Sequence, residues 1–424
     1  MRIFPLLLAG GLAACTSASP TDEPDGGGGA GGTSSSGSTG LASSGTGSSS
    51  GAAVGSSAGT SASSGGSPTS LASGSSAASS GSSAASAGSS AATGSSAGAA
   101  SGASLPGCLP APACDAAPPD PGAAAAWRHD IASPIIVATG SPNHRGRDLL
   151  LNPGDPQWVI AKFAYGLTDK DLKDEDVDLY LLRSCAGAWE ALGTATTTSD
   201  NTHAPVEGVE DSGGRVYFQI PADKTLGTGR HRVHLVVRGD LSTTDALIDV
   251  LPPGTATVVS DVDGTLTTSE NEEFTAMLTG ATPNANPSAP EVLSLLAGRG
   301  WRVMYVTARP EFLVGRTREF VRERGFPPGP VHTTLTLTGG TGGTAVTYKT
   351  GELATLAARG LLPGLVFGNT VTDAEAYGQD YTGVTIPAEH RYFFQYTDGA
   401  FGGTRVDNYA DLLTPLGALP APCR

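Results

Sequence analysis

Hydrophobic and polar positions divide this chain into four stretches. Residues 1–15 carry one positive charge, then an apolar run, then small residues ending at Cys15. Residues 16–126 are dominated by Gly, Ser, Ala, Thr and Pro, and between 26 and 104 almost no apolar side chain is larger than alanine. From 127 to 252, short apolar runs are separated by turn residues. From 253 to 424, uncharged β-branched runs alternate with helical patterns.

In the third stretch the spacing predicts strands at Ile135–Ala138, Trp158–Phe163, Val177–Leu182, Val216–Ile220, His231–Val237 and Ala246–Val250. Pro153-Gly154, Ser212-Gly213-Gly214 and Gly227-Thr228-Gly229 supply turns. Several short strands at such intervals predict a β-sandwich.

The fourth stretch predicts an α/β fold. Apolar strands are expected in 258–267, 302–309 and 365–373, the third followed by a loop that carries Asn369 and Asp373, with helices at Pro290–Ala297 and Glu311–Arg324. A further helical pattern opens at Lys349 and continues through Leu353, Leu356 and Ala357. Strands alternating with helices wind into a parallel sheet, and uninterrupted apolar strands suit burial on both faces.

The chemistry sits at the strand ends. Residues 258–267 read Val-Val-Ser-Asp-Val-Asp-Gly-Thr-Leu-Thr. Asp261 and Asp263 would emerge at the carboxyl end of a buried strand, where open α/β sheets bind ligands. One carboxylate there can attack phosphorus, and a second can handle the leaving-group proton. The pair invites Mg²⁺, with Asn369 or Asp373 completing the ligand set. Thr307 and backbone amides near Gly264 and Thr265 are expected to hold phosphoryl oxygens. Lys349 is expected to offset charge shared by phosphate and nucleophile, and Arg309 is a candidate for substrate contact, helix capping or a structural ion pair.

Nucleophile, hydroxyl, lysine and metal carboxylate come in the order used by haloacid-dehalogenase-like phosphatases. Asp-Val-Asp-Gly-Thr-Leu-Thr, Thr-Ala-Arg-Pro, Phe-Gly-Asn with Asp373-Ala-Glu-Ala-Tyr, and Ile386-Pro387 before Arg391-Tyr392-Phe393 resemble the catalytic half of the lipins. These are Mg²⁺-dependent phosphatidate phosphatases. The resemblance covers roughly residues 252–415. It implies a HAD-like, Rossmann-type sheet, Asp261 as nucleophile, Asp263 as general acid/base, and phosphatidate as substrate. A related branch, in phosphatidylinositol-transfer proteins, has lost the second Asp and is thought to bind phosphatidic acid without turnover. This chain keeps both. Lipins also carry an immunoglobulin-like sandwich, partly supplied by a distant segment; here it is contiguous and directly upstream. The intervals from Asp263 to Thr307 and from Thr307 to Lys349 leave little room for a separate cap domain, so an open site is expected.

The remaining composition sets the surroundings. Residues 1–15 predict a secretory signal peptide ending in a lipobox, Leu12-Ala13-Ala14-Cys15, with Cys15 acylated. Thr16 at the following position favours an outer membrane, so the expected location is the cell envelope of a Gram-negative bacterium. The membrane would be reached through this anchor. Residues 26–104 cannot bury a core and predict a flexible tether; about 90 residues would reach ~50 Å. Four cysteines remain, Cys108, Cys114, Cys185 and Cys423. An even number in an exported chain favours disulfides, with 108–114 and 185–423 the preferred pairing among three. The cluster His144-Arg145-Gly146-Arg147 is expected as a solvated loop with ordinary salt bridges, the alternative being an anion site. Lys170–Asp176 is expected as a solvated mixed-charge loop. A net charge of −15 argues against nucleic acid, which requires a basic footprint, and against electrostatic adhesion to anionic membranes. No motif points to a protein partner. Three functions therefore stand: a lipid-anchored phosphatidate phosphatase, a phosphatidic-acid-binding module without turnover, and an exported phosphatase for a non-lipid phosphomonoester.

Overall fold

The computed structural model describes residues 111–268 and 281–422. The expectations for Cys15, the signal peptide, most of the tether, Cys108 and Cys423 lie outside the described residues.

Ten strands precede residue 252: β1 Arg145–Arg147, β2 Leu149–Leu151, β3 Trp158–Lys162, β4 Ala164–Tyr165, β5 Lys170–Asp171, β6 Asp176–Leu182, β7 Glu190–Thr196, β8 Arg215–Gln219, β9 Gly229–Val237 and β10 Thr243–Val250. They form a sheet ordered β1-β3-β8, a sheet ordered β2-β10-β9-β6-β7 and the hairpin β4-β5. The side-chain period of two decides which residues fill the space between the sheets. Along β6, Val177, Leu179 and Leu181 are buried while Asp176, Asp178 and Tyr180 are half-buried. The inward set packs with Val159, Val216, Val233, Leu235 and Ile248.

Two of the expected elements differ. Ile135–Ala138 is not a strand; it falls in the helix Ala132–Val137. A four-residue apolar run does not distinguish the two states, and Pro134 sits in the first helical turn, where its missing N–H is harmless. The Lys170–Asp176 stretch is less solvated than its charge suggests. Glu175 is buried and accepts from the backbone N–H groups of Arg128 and His129 (2.9 Å each) and from Ser133 Oγ (2.6 Å).

The second half contains β11 Thr257–Ser260, β12 Arg302–Val306, β13 Val331–His332, β14 Leu365–Gly368, β15 Asp380–Tyr381, β16 Val384–Thr385, β17 Arg391–Phe394 and β18 Thr404–Val406. Six of them make one sheet, β13-β12-β11-β14-β17-β18, and every pairing in it is parallel. Helices cover both faces. Val258, Val303, Tyr305 and Phe367 pack against Val292 and Leu296 of the helix Ala289–Gly298 and Phe320 of the helix Val314–Glu323. Val259, Met304, Val306 and Val366 pack against Leu353 and Leu356 of the helix Gly343–Ala358 and Tyr377 of the helix Val371–Tyr377. Alternate residues of each strand thus feed opposite cores, which is why β11, β12 and β14 read as unbroken apolar runs. The winding leaves β11 toward β12 and β13 on one side and toward β14, β17 and β18 on the other. β11 is therefore the topological switch point, and the space beyond its carboxyl end is open to a ligand. Among the described residues no helix is long and apolar enough to cross a membrane.

The preferred disulfide pairing is overturned. Cys114 is bonded to Cys185, at a sequence separation of 71. Proximity in sequence favoured Cys108, but the chain after Cys114 is laid along the sandwich. Arg232 Nη1 donates to the carbonyls of Cys114 (2.9 Å) and Ala116 (3.0 Å), and Trp189 Nε1 donates to that of Ala117 (2.7 Å). A closed loop of that length is worth about 4 kcal/mol in the chain-entropy picture. Peptide mapping without reduction is expected to recover a Cys114–Cys185 pair, and Cys185→Ala to lower the unfolding free energy by about 2–5 kcal/mol. A recovered Cys108–Cys114 peptide would overturn the assignment.

Candidate functional site

The parallel ladder delivers the expected residues to one place. Asp261, Thr307 and Asn369 each directly follow β11, β12 and β14. The ladder continues one residue beyond the strands, since Asp261 N donates to Phe367 O and Thr307 N to His332 O (2.9 Å each). The loop after Asp261 is held from outside: Asn286 Nδ2 donates to the carbonyls of Thr265 (2.8 Å) and Thr267 (3.0 Å), and Tyr409 Oη donates to that of Thr265 (3.0 Å).

At the centre is a buried ion cluster. Lys349 Nζ lies 2.8 Å from Asp261 Oδ1 and 2.6 Å from Asp373 Oδ1, and all three side chains are at most 5 % exposed. Burial is the largest influence on Asp261 and pushes its carboxyl up; Lys349 opposes this, and the Asp373 and Asp263 carboxylates add to the rise. Burial works against the Lys349 ammonium as well, but Asp261 and Asp373 hold its pKa above the usual lysine value. The helix Gly343–Ala358 begins six residues before Lys349 rather than at it, so the lysine emerges from the second turn, aimed at β11.

Asp373 does not lie on a loop, as the sequence suggested. It belongs to the first turn of the helix Val371–Tyr377 and forms a capping box with Thr370. Its Oδ2 accepts from Asn369 N, Thr370 N and Thr370 Oγ1 at 2.9–3.1 Å, while Oδ1 faces Lys349. Gly368 permits this approach: a Cβ there would stand 2.4 Å from Asp373 Cβ.

Asp263 forms the outer rim, with a side chain 25 % exposed. Arg309 clasps it, Nη2 to Oδ1 at 2.7 Å and Nε to both oxygens at 3.0 Å. Arg309 thus makes a structural ion pair with Asp263. The Thr307 hydroxyl, expected on a phosphoryl oxygen, donates instead to Asp263 Oδ2 (2.8 Å). Gly264 N donates to Thr267 Oγ1 (2.9 Å), so this amide too is engaged within the protein. Thr265 Oγ1 lies 3.0 Å from Asp261 Oδ2 and 2.9 Å from Asn369 Oδ1. It is a bridge in the carboxylate cluster.

Asp261, Asp263, Arg309, Lys349 and Asn369 line a cleft of about 450 Å³. Its far wall was not foreseen. Thr338, Gly340, Thr341 and Gly342 line it, leading into the helix that carries Lys349. The signal was the run Thr336–Thr344, which alternates Thr and Gly so closely that it has neither helical nor strand periodicity. The positive end of a helix there suits an anion in the cleft.

An Mg²⁺ fits the donor chemistry. Asp261 Oδ2 and Asn369 Oδ1 meet at one hydroxyl, and hard cations take such oxygens. Asp373 Oδ1 faces Lys349 and its Oδ2 accepts from the capping amides. Among the described residues no group of three or more His, Cys, Asp or Glu is arranged for a metal.

Comparison with known proteins places both halves together. Residues 142–250 match the family model described as "PITM 1-3, beta-sandwich domain", and residues 258–393 match "PITM 1-3, LNS2 domain". Human membrane-associated phosphatidylinositol transfer protein 1 is 31 % identical over 199 residues, 46 % of this chain and 14 % of that protein. Protein retinal degeneration B of Drosophila melanogaster is 32 % identical over 189 residues, 44 % of this chain and 14 % of that protein. Human membrane-associated phosphatidylinositol transfer protein 3 is 29 % identical over 191 residues, covering 45 % and 18 % respectively. The chain therefore spans a minor part of these relatives' length. The likeness is to the transfer-protein branch, whereas the residue motifs alone suggested the lipins.

Removing the central cation tests the cluster. Lys349→Met leaves two buried carboxylates facing each other and is expected to lose about 3–5 kcal/mol of stability at neutral pH. Without the ammonium the raised carboxyl of Asp261 rises further, so ionisation opposes folding above that pKa. The deficit should shrink as the pH falls toward about 4 and the carboxyls take up protons. Urea unfolding of both proteins across pH reads this; a pH-independent deficit would contradict it.

Proposed function

We propose that this chain hydrolyses a phosphomonoester through an aspartyl-phosphate at Asp261, with phosphatidate as substrate. The observation that carries the reading is the pair of carboxylates at the switch point. Asp261 is buried against a lysine, Asp263 stands at the cleft mouth, and both face the same open space. A binding module needs neither a buried nucleophile nor a second carboxylate beside it. The relatives' names concern phosphatidylinositol transfer, which supports a phospholipid as the phosphate bearer.

In this mechanism an oxygen of Asp261 attacks phosphorus, and the ester P–O bond breaks. Asp263, entering this step protonated, gives its proton to the departing alcohol and becomes the carboxylate that Arg309 and Thr307 hold. It then takes a proton from water, whose oxygen attacks the phosphoryl group and returns Asp261 as a carboxylate. Arg309 and Thr307 aim Asp263, and Lys349 limits the charge that accumulates on Asp261. Positioning and charge neutralisation supply most of the catalysis in such transfers. Mg²⁺ on Asp261, Asn369 and the backbone carbonyl of Asp263 would neutralise phosphate oxygens. Cys15, acylated, would anchor the enzyme in the cell envelope, with residues 26–104 giving it reach.

The second reading, phosphatidic-acid binding without turnover, is favoured by the match to the LNS2 domain of transfer proteins. Phosphate release from phosphatidate in mixed micelles, with and without Mg²⁺ and beside a soluble phosphomonoester, separates the readings. Mg²⁺-dependent release is expected, abolished in Asp261→Asn and lowered by ~10²–10⁴ in Asp263→Asn. Vesicle binding with no release would favour the second reading, and release from the soluble ester alone would point to a non-lipid substrate.

A further inference from the structure

Strand β1, Arg145-Gly146-Arg147, was expected on a solvated loop. It is instead buried, and its two arginines leave the sandwich for different parts of the α/β half. Arg145 Nη2 lies 3.1 Å from Glu311 Oε2. Arg215 of β8, in the same three-stranded sheet, donates to both oxygens of that carboxylate at 2.9 Å. Arg147 Nη2 donates to Glu352 Oε1 at 2.7 Å, while His332 Nδ1 lies 2.6 Å from Glu352 Oε2. Gly146 lets β1 sit this deep, since a Cβ there would come within 2.4 Å of Asp245 O.

The two acceptors are not arbitrary positions. Glu311 follows Pro310 directly and lies two residues beyond Arg309, the side chain that clasps Asp263. Glu352 lies three residues beyond Lys349 on the same helix, just under one turn. One strand of three residues therefore grips both segments that set the geometry of the carboxylates. The pairs are buried, so they are weakly screened and fixed in direction. The carboxylates hold Arg145 and Arg147 above the usual arginine value despite their burial; burial pushes the Glu352 carboxyl up, but its contacts with His332 and Arg147 outweigh this and bring it down to about 2.

We propose that β1 is a positioning element of the catalytic centre: Arg145 and Arg147 fix, through Glu311 and Glu352, the loop that aims Asp263 and the helix that presents Lys349. The sandwich is then part of the catalytic unit. The proposal rests on the phosphatase reading above for its consequence in turnover, though not for the positioning itself.

The test uses Arg145→Met and Arg147→Met in the full chain. Each leaves its carboxylate a second hydrogen-bond partner, Arg215 for Glu311 and His332 for Glu352, so folding should survive. Val159→Ala, in the sandwich core on β3 and one residue outside its pairing with β1, leaves both arginines and their carboxylates in place and serves as a control for lost stability alone. On a soluble phosphomonoester, below all unfolding transitions, kcat is expected to fall on the order of 10²-fold in both arginine variants, as small misplacements do. KM should move little, Arg→Lys should recover part of the rate, and Val159→Ala should keep its kcat. Amide exchange should quicken at 307–313 and 343–352 in the arginine variants and stay unchanged in Val159→Ala. Full kcat in both arginine variants, an equal fall in Val159→Ala, or unaltered exchange in those segments would overturn the proposal. If the unmodified protein releases no phosphate from any phosphomonoester, the phosphatase reading fails, and the exchange comparison still decides the positioning.

Discussion

The structure depends on one buried ammonium between two carboxylates. Lys349 neutralises charge that the centre of a parallel sheet could not otherwise hold, because an ionised carboxylate without a partner is expensive in the interior. That requirement fixes much of what surrounds it. The helix Gly343–Ala358 must cross the end of β11 at the height of Asp261, the helix Val371–Tyr377 must offer Asp373 from its first turn, and Gly368 must have no side chain between them. The outer carboxylate, Asp263, obeys a looser rule. It is partly exposed and held by one guanidinium and one hydroxyl, which lets it face the cleft while remaining charge-balanced.

Much of this was legible in the sequence, and the reasons are specific. Burial on both faces makes β11, β12 and β14 continuous apolar runs, and polar residues then mark their ends at Asp261, Thr307 and Asn369. The alternation along β6 and β9 likewise exposed the sandwich. What stayed hidden depends on long-range partners. Arg145 and Arg147 look solvated until Glu311 and Glu352 come to meet them. Cys114 appears to belong with Cys108 until the chain after it is seen to lie along Arg232 and Trp189. Thr307 and Arg309 both turn toward Asp263, a contact across more than forty residues that no local pattern encodes and that, of the three roles open to Arg309, supplies the ion pair. The Thr/Gly run at 336–344 has no period to read, although it walls the cleft.

The sandwich and the α/β half match consecutive domains of the same family of transfer proteins, and the structure gives a physical reason for them to travel together. Their shared boundary joins an apolar contact, Leu150 and Leu251 against Val259, Met304 and Leu356, to buried polar ones. Asp148, between β1 and β2, accepts from Val331 N and Arg318 Nη2 at 2.8 Å each, and Arg230 Nη1 donates to Pro328 O at 2.7 Å. Buried charge pairs specify register strongly even where their net stabilisation is small. A boundary of this kind orients one domain on the other more sharply than an apolar contact of equal size.

The central claim is that Asp261 becomes covalently phosphorylated during turnover. Acid quenching of the Mg²⁺-containing reaction, followed by peptide mass mapping, tests it directly. The account predicts a phosphoryl group on the peptide containing Asp261, absent when the substrate is omitted and gathering in Asp263→Asn, where its hydrolysis is slowed. Turnover that continues with no such adduct in either protein, together with solvent oxygen entering phosphate in a single step, would contradict it.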